Sequence, residues 1–205
     1  MPVVTGENLP QSKPEEFTIR VKVGEKGQAD RVFVVGADSR GAMYGVGRLL
    51  RELKCSRGEI KLGAALNVWS SPEYPARGHE LGYRARANSY DAWSKEQYEQ
   101  YIREQVVFGM NTVQGIPFQD KRTNALMQYS REEMNRTIGK ICAKYDLDYW
   151  VWTPVEFSLT DEKLRQAELV KHETFYKSTP RLDAVFVPGG DPGENPPELV
   201  LPFME

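Results

Sequence analysis

The chain has 205 residues, 40% apolar and 27% charged, the balance of an ordinary globular protein with one large domain or two small ones. A net charge of −2 and a pI near 5.9 give no electrostatic basis for binding nucleic acid or an anionic membrane. No apolar run reaches the roughly 18 residues of a membrane span. The opening Met1-Pro2-Val3-Val4-Thr5-Gly6 has neither the basic start nor the apolar core of a signal peptide. Cys55 and Cys142 lack metal-ligand spacing and are expected as two unpaired, buried thiols. With only His79 and His172 beside them, neither a metal site nor a cofactor is expected.

The first region covers 1–72. Residues 1–14 are polar, contain Pro2, Pro10 and Pro14, and read as a loose end. Residues 17–23 alternate in polarity and 31–36 are rich in valine, so they predict two strands of a hairpin across the turn residues 24–30. Asp38 or Ser39 then caps a helix, with Met43, Val46, Leu50 and Leu53 at the spacing of one apolar face. Gly41, Gly45 and Gly47 lie inside that helix, where each costs about 1 kcal/mol relative to alanine. Close packing of the helix on the hairpin explains them. A phosphate-cradling loop does not, because the spacing is wrong and no Gly-Lys-Ser/Thr follows.

Ser70-Ser71-Pro72-Glu73-Tyr74-Pro75 marks a boundary, and the second region covers 73–205. Strands are predicted at 79–84, 111–117, 147–155 and 182–187. Between them, Ser94 with Gln97 and Ser130 with Glu133 form capping-box patterns. These lead into the stripes Tyr98, Ile102, Val106 and Met134, Ile138, Ile141, Tyr145. A third helix is expected over 160–177, and a last one begins at 196. Strands alternating with helices at this period imply a parallel sheet with right-handed crossovers. An open doubly wound sheet usually carries a glycine-rich loop after its first strand. Residues 85–93 contain no glycine, so about half of an eight-fold β/α barrel is the preferred reading. In such barrels the chemistry is built at the carboxyl ends of several strands.

Gly36-Ala37-Asp38-Ser39-Arg40-Gly41-Ala42-Met43-Tyr44-Gly45-Val46-Gly47-Arg48-Leu49-Leu50 resembles the helix of the small α/β domain that precedes the barrel in β-N-acetylhexosaminidases and α-glucuronidases. Pro72, Pro75, Arg77 and Gly78 resemble the joint that follows it, and Gly189-Gly190-Asp191 resembles the end of the hexosaminidases' fourth barrel strand. The resemblance implies a small N-terminal domain, short at its start, and the first half of a glycoside hydrolase barrel. It implies an oligosaccharide or glycoside substrate and a secreted or periplasmic parent. Strands five to eight are not in the chain, so it is expected to be a fragment, inactive alone, whose exposed edges invite pairing with a second copy.

Glycosidic cleavage needs an acid for the leaving oxygen and a second group across the sugar. Asp191, where the fourth strand gives way to a loop, is the first candidate; a helix N-cap or turn role is its alternative. The resembling family has a glutamate acid after this aspartate, and Pro192 stands there instead. The acid then comes from elsewhere, with Glu156 and Glu194 as candidates, or the fold binds sugar without cleaving it. Trp152 or Trp150 offers a stacking surface, or packs in the core. The resemblance places a sugar-binding arginine at Arg84 or Arg86, with Arg84 favoured. Tyr83, Asn88 and the neighbouring Tyr90, Asp91 and Trp93 suit polyol recognition, and Gln114 is expected to face inward. His79 is expected to be structural.

Overall fold

A computed structural model of the chain describes residues 13–63, 66–81, 89–120, 123, 125–188 and 195–205. The chain forms two compact units, Met1–Arg77 with Glu104–Gly109, and Gly78–Arg103 with Met110–Glu205.

In the first unit, β1 (Phe17–Lys22) and β2 (Arg31–Gly36) form the predicted antiparallel hairpin, running from Phe17 opposite Gly36 to Lys22 opposite Arg31. The helix α1 (Ser39–Glu52) starts at Asp38, whose carboxylate accepts from the Gly41 amide at 2.7 Å. A short hairpin follows, β3 (Lys54–Ser56) and β4 (Glu59–Lys61), turning at Gly58 with φ +78°. Then β5 (Asn67–Ser70) returns along β1, giving the order β2-β1-β5. The sequence pattern did not reveal β3, β4 or β5, which are too short to show a period.

The buried face of α1 differs from the one its apolar spacing predicts. Val46 and Leu50 are 48% and 54% exposed, while Gly41, Tyr44, Gly45 and Gly47 are buried. The cause is close approach. A β-carbon on Gly41 would lie 2.4 Å from the Glu16 carbonyl oxygen, and one on Gly45 2.5 Å from Val34 Cγ1. The helix therefore sets bare backbone against the hairpin, as the glycine-packing reading anticipates. Cys55, expected to be buried, is exposed because it sits on the thin β3–β4 hairpin, all six of whose strand residues are exposed. Cys142 is buried, and neither thiol is bonded.

The second unit runs β6 (Gly78–Glu80), a 3-10 turn (Ser89–Ala92), α2 (Lys95–Val107, its residues from Glu104 on counted with the first unit), β7 (Thr112–Gly115), α3 (Arg131–Lys144), β8 (Asp148–Trp152), α4 (Glu162–Ser178), β9 (Ala184–Phe186) and α5 (Pro197–Phe203). The predicted cap of α2 forms in both directions: Ser94 N donates to Gln97 Oε1 at 2.8 Å, and Gln97 N to Ser94 Oγ at 3.3 Å. At α3 only one half forms, Glu133 N to Ser130 Oγ, because the Glu133 carboxylate pairs with Lys95 instead. The predicted stripes are inside except for Tyr145, which is half-buried at the end of α3: Tyr98, Ile102, Met134 and Ile138 are each at most 1% exposed.

The sheet is parallel throughout, in the order β6-β7-β8-β9, with no reversal of strand order. Three contacts show which face the helices cover. His79 on β6 meets the Tyr101 hydroxyl of α2 at 3.0 Å. The Tyr149 hydroxyl on β8 donates to Asn135 of α3 at 2.5 Å. Thr153, four residues beyond Tyr149, meets the Tyr176 hydroxyl of α4 at 3.1 Å. His79, Val113 and Tyr149 are register partners, and Thr153 keeps their parity, so all three helices pack on one face. A doubly wound sheet would carry helices on both faces and a switch in strand order. Among the described residues the strand order does not switch and α2, α3 and α4 share one face, the architecture of a partial α/β barrel.

Candidate functional site

The opposite face of the parallel sheet collects the side chains that do not pack on helices. Register places Glu80, Gln114, Trp150 and Ala184 in one row across the four strands, with Trp152 beside Phe186 one layer nearer the carboxyl ends. Burial alternates along β8: Tyr149 and Val151 are fully buried, while Trp150 and Trp152 are partly exposed. Glu80 is exposed, Gln114 half-buried, and Phe186 44% exposed. The result is an aromatic wall edged by a carboxylate and an amide, a combination able to stack on an apolar ring face and bond its hydroxyls.

The structure thus brings together Gln114 and Trp152 from the sequence-predicted set. Trp150, the sequence-predicted alternative to Trp152, shares its parity, and strand register aligns Glu80 of β6 with Gln114. The structure does not bring Glu156 to them. Glu156 is exposed in the loop after β8 and lines a separate groove of about 1320 Å³ with Phe118, Gln119, Arg131, Lys171 and Phe175. None of Glu80, Gln114, Trp150 and Trp152 lines that groove. Asp191, Glu194, Arg84, Tyr83 and Asn88 lie outside the described residues. Pro196 occupies the N-cap of α5.

Asp91, read from sequence as part of a polyol-binding loop, is 2% exposed. Its carboxylate is forked by the Arg131 guanidinium, with Nη1 in direct contact and Nη2 at 3.0 Å from Oδ2. Asp120, in the loop after β7, lies 3.5 Å from the same Nη2. Sequence reasoning missed this cluster because its members come from three separate segments. The neighbouring Tyr90 and Trp93 pack edge to face at 4.7 Å, and Trp93 leans on Tyr101 at 5.1 Å. Burial pushes the Tyr101 phenol up to about 12, helped by its hydrogen bond with Tyr90. His79 faces α2, in keeping with a structural role. Among the described residues no group of three or more His, Cys, Asp or Glu side chains is arranged to hold a metal ion. Among the same residues no helix is long and apolar enough to cross a membrane.

Solved structures of other proteins share this architecture. The chain shares its fold with glycoside hydrolases. CpGH84B, of glycoside hydrolase family 84, matches with a TM-score of 0.62 at 18% identity, over 92% of this chain and 32% of its own. A GH138 enzyme targeting pectin rhamnogalacturonan II matches with a TM-score of 0.53 at 17% identity, over 84% of this chain and 24% of its own. At such identities the likeness is one of fold, and the chain spans about a third and a quarter of these proteins' lengths. No protein-family model matches the sequence, and neither does any curated protein.

Proposed function

We propose that the chain comprises a small N-terminal domain over 1–72 and the first half of a glycoside hydrolase barrel over 73–205, and that the helix-free face of its parallel sheet is one wall of a sugar pocket. The parent activity is hydrolysis of an O-glycosidic bond, of the β-N-acetylhexosaminidase or α-glucuronidase type. The observation that carries this reading is the one-sided packing of α2, α3 and α4, which leaves Gln114, Trp150 and Trp152 together on the other face. In that pocket Trp152 stacks on the sugar ring and Gln114 bonds its hydroxyls. Arg84, Tyr83 and Asn88, which follow β6 in sequence, contribute further polar contacts. Asp191, which follows β9 in sequence, is the participating carboxylate, and Glu194 is the second candidate acid. The four described strands supply only this one wall, so the chain alone binds weakly and turns over little. A second copy meeting the β6 and β9 edges is the partner the exposed edges suit.

Pro192 favours a second reading, in which the same pocket binds saccharide without cleaving it, because proline has no proton to give the leaving oxygen. Titration of the tryptophan fluorescence with chitobiose and with glucuronic acid tests the shared part. A saturable change that Trp152→Ala removes supports the pocket, and no change with either sugar overturns it. Turnover of aryl glycosides by the full-length parent, lost in Asp191→Asn with folding retained, separates the hydrolase from the binding protein. Unchanged turnover removes Asp191 from the mechanism.

A further inference from the structure

The Asp91–Arg131–Asp120 cluster is an expensive choice for a barrel's loop end. Its three side chains are 2%, 5% and 7% exposed, so three charges have left water. Buried ion pairs of this kind add little stability over well-packed apolar residues, and the best-attested reason to keep one is that it fixes a single arrangement. What this one fixes is specific. Asp91 lies in the 3-10 turn that follows β6, Asp120 in the loop that follows β7, and Arg131 is the first residue of α3. The guanidinium fork sets a plane as well as a distance, which a lysine cannot do. Further bonds continue from it. Gln128 Nε2 donates to the Ala92 carbonyl at 3.1 Å. Asn135 Nδ2 donates to the Arg131 carbonyl at 2.7 Å, and Asn135 Oδ1 accepts from the Tyr149 hydroxyl on β8. A bonded path thus runs from the turn after β6, through the start of α3, into the strand that carries Trp150 and Trp152.

We propose that Arg131 is a positioning residue: it locks the turn after β6 and the loop after β7 to α3, and so sets the carboxyl-end loops that border the sugar-facing wall. This role rests on the pocket reading above. It acts through Asp91 and Asp120, with no contact of its own to the saccharide.

The test uses the whole 205-residue chain. Arg131→Met alone leaves two buried carboxylates without their fork and is expected to unfold readily. The informative variant therefore replaces the cluster with apolar or neutral groups, Asp91→Leu, Arg131→Met and Asp120→Asn together, with Arg131→Lys beside it. The triple variant is expected to melt close to wild type. The amides of 89–93 are expected to exchange with deuterium at least tenfold faster, and the affinity for chitobiose or glucuronic acid to fall at least tenfold. Arg131→Lys is expected to lie between, because it restores charge without the fork. Unchanged exchange at 89–93, or faster exchange with undiminished saccharide affinity, overturns the proposal. A wild-type chain that binds neither sugar overturns the pocket reading and this role with it, while the exchange data still report separately whether the cluster orders the turn.

Discussion

The two faces of the parallel sheet are made from alternate residues of the same four strands, yet they are put to different uses. On one face Val113, Tyr149 and Val151 are at most 1% exposed, pressed against helices that bury Ile102, Met134 and Ile138 as deeply. On the other, Glu80, Gln114, Trp150 and Trp152 keep partial access to solvent. The difference teaches that strand parity divides labour: Tyr149 and Val151 of β8 hold the fold together, while Trp150 and Trp152 keep a face open to solvent. It also explains why the tryptophans, which would ordinarily dominate a core, are not the residues whose loss should hurt stability most.

That division breaks if the helix-facing side chains prove dispensable. Tyr149→Ala removes a fully buried ring and its hydrogen bond to Asn135, and is expected to cost about 3–5 kcal/mol in urea unfolding. On the same side, burial pushes the Cys142 thiol up to about 12. The folded state therefore keeps a proton that the unfolded state releases near pH 9. Stability is fully present below that pH and is lost as pH climbs toward 12, by up to about 1.4 kcal/mol per unit. The stability advantage of wild type over Cys142→Ala should accordingly shrink between pH 8 and pH 11. An advantage that stays constant would mean the thiol is accessible. Trp152→Ala, on the opposite face, is expected to cost only about 1 kcal/mol of stability, because its ring is partly solvated already. Removing the α3 cap with Ser130→Ala should cost about 1 kcal/mol, and should leave saccharide binding unmoved.

Much of the second unit was legible in its sequence, because helix caps and apolar stripes are local signals. Ser94 with Gln97, and the stripes through Ile102 and Ile138, need only neighbours three or four residues away. The absence of glycine from residues 85–93 pointed to the barrel, and the structure agrees by putting contacts of α2, α3 and α4 with the sheet on one side. The first unit was harder. On α1 the apolar residues suggest one face and the glycines another, and backbone contact with the hairpin favoured the glycines. The site was legible where parity along one strand suffices, as for Trp150 and Trp152. It was not legible where partners are distant in sequence. Asp91 looks like a solvated loop carboxylate until Arg131, far along the chain, is seen to bury it. Glu156 follows β8 closely, yet lines a groove with residues of α3 and α4 rather than the sheet's open face.

The division between the two faces can be measured directly by hydroxyl-radical footprinting of the dilute chain, reading Trp150, Trp152 and Tyr149 by mass spectrometry with and without chitobiose or glucuronic acid. Trp150 and Trp152 should be oxidised in the free chain and protected by saccharide, while Tyr149 stays unmodified in both. Oxidation of Tyr149 to the same extent as the tryptophans, or tryptophans already shielded in the free, dilute chain, would contradict the assignment of one face to packing and the other to ligand.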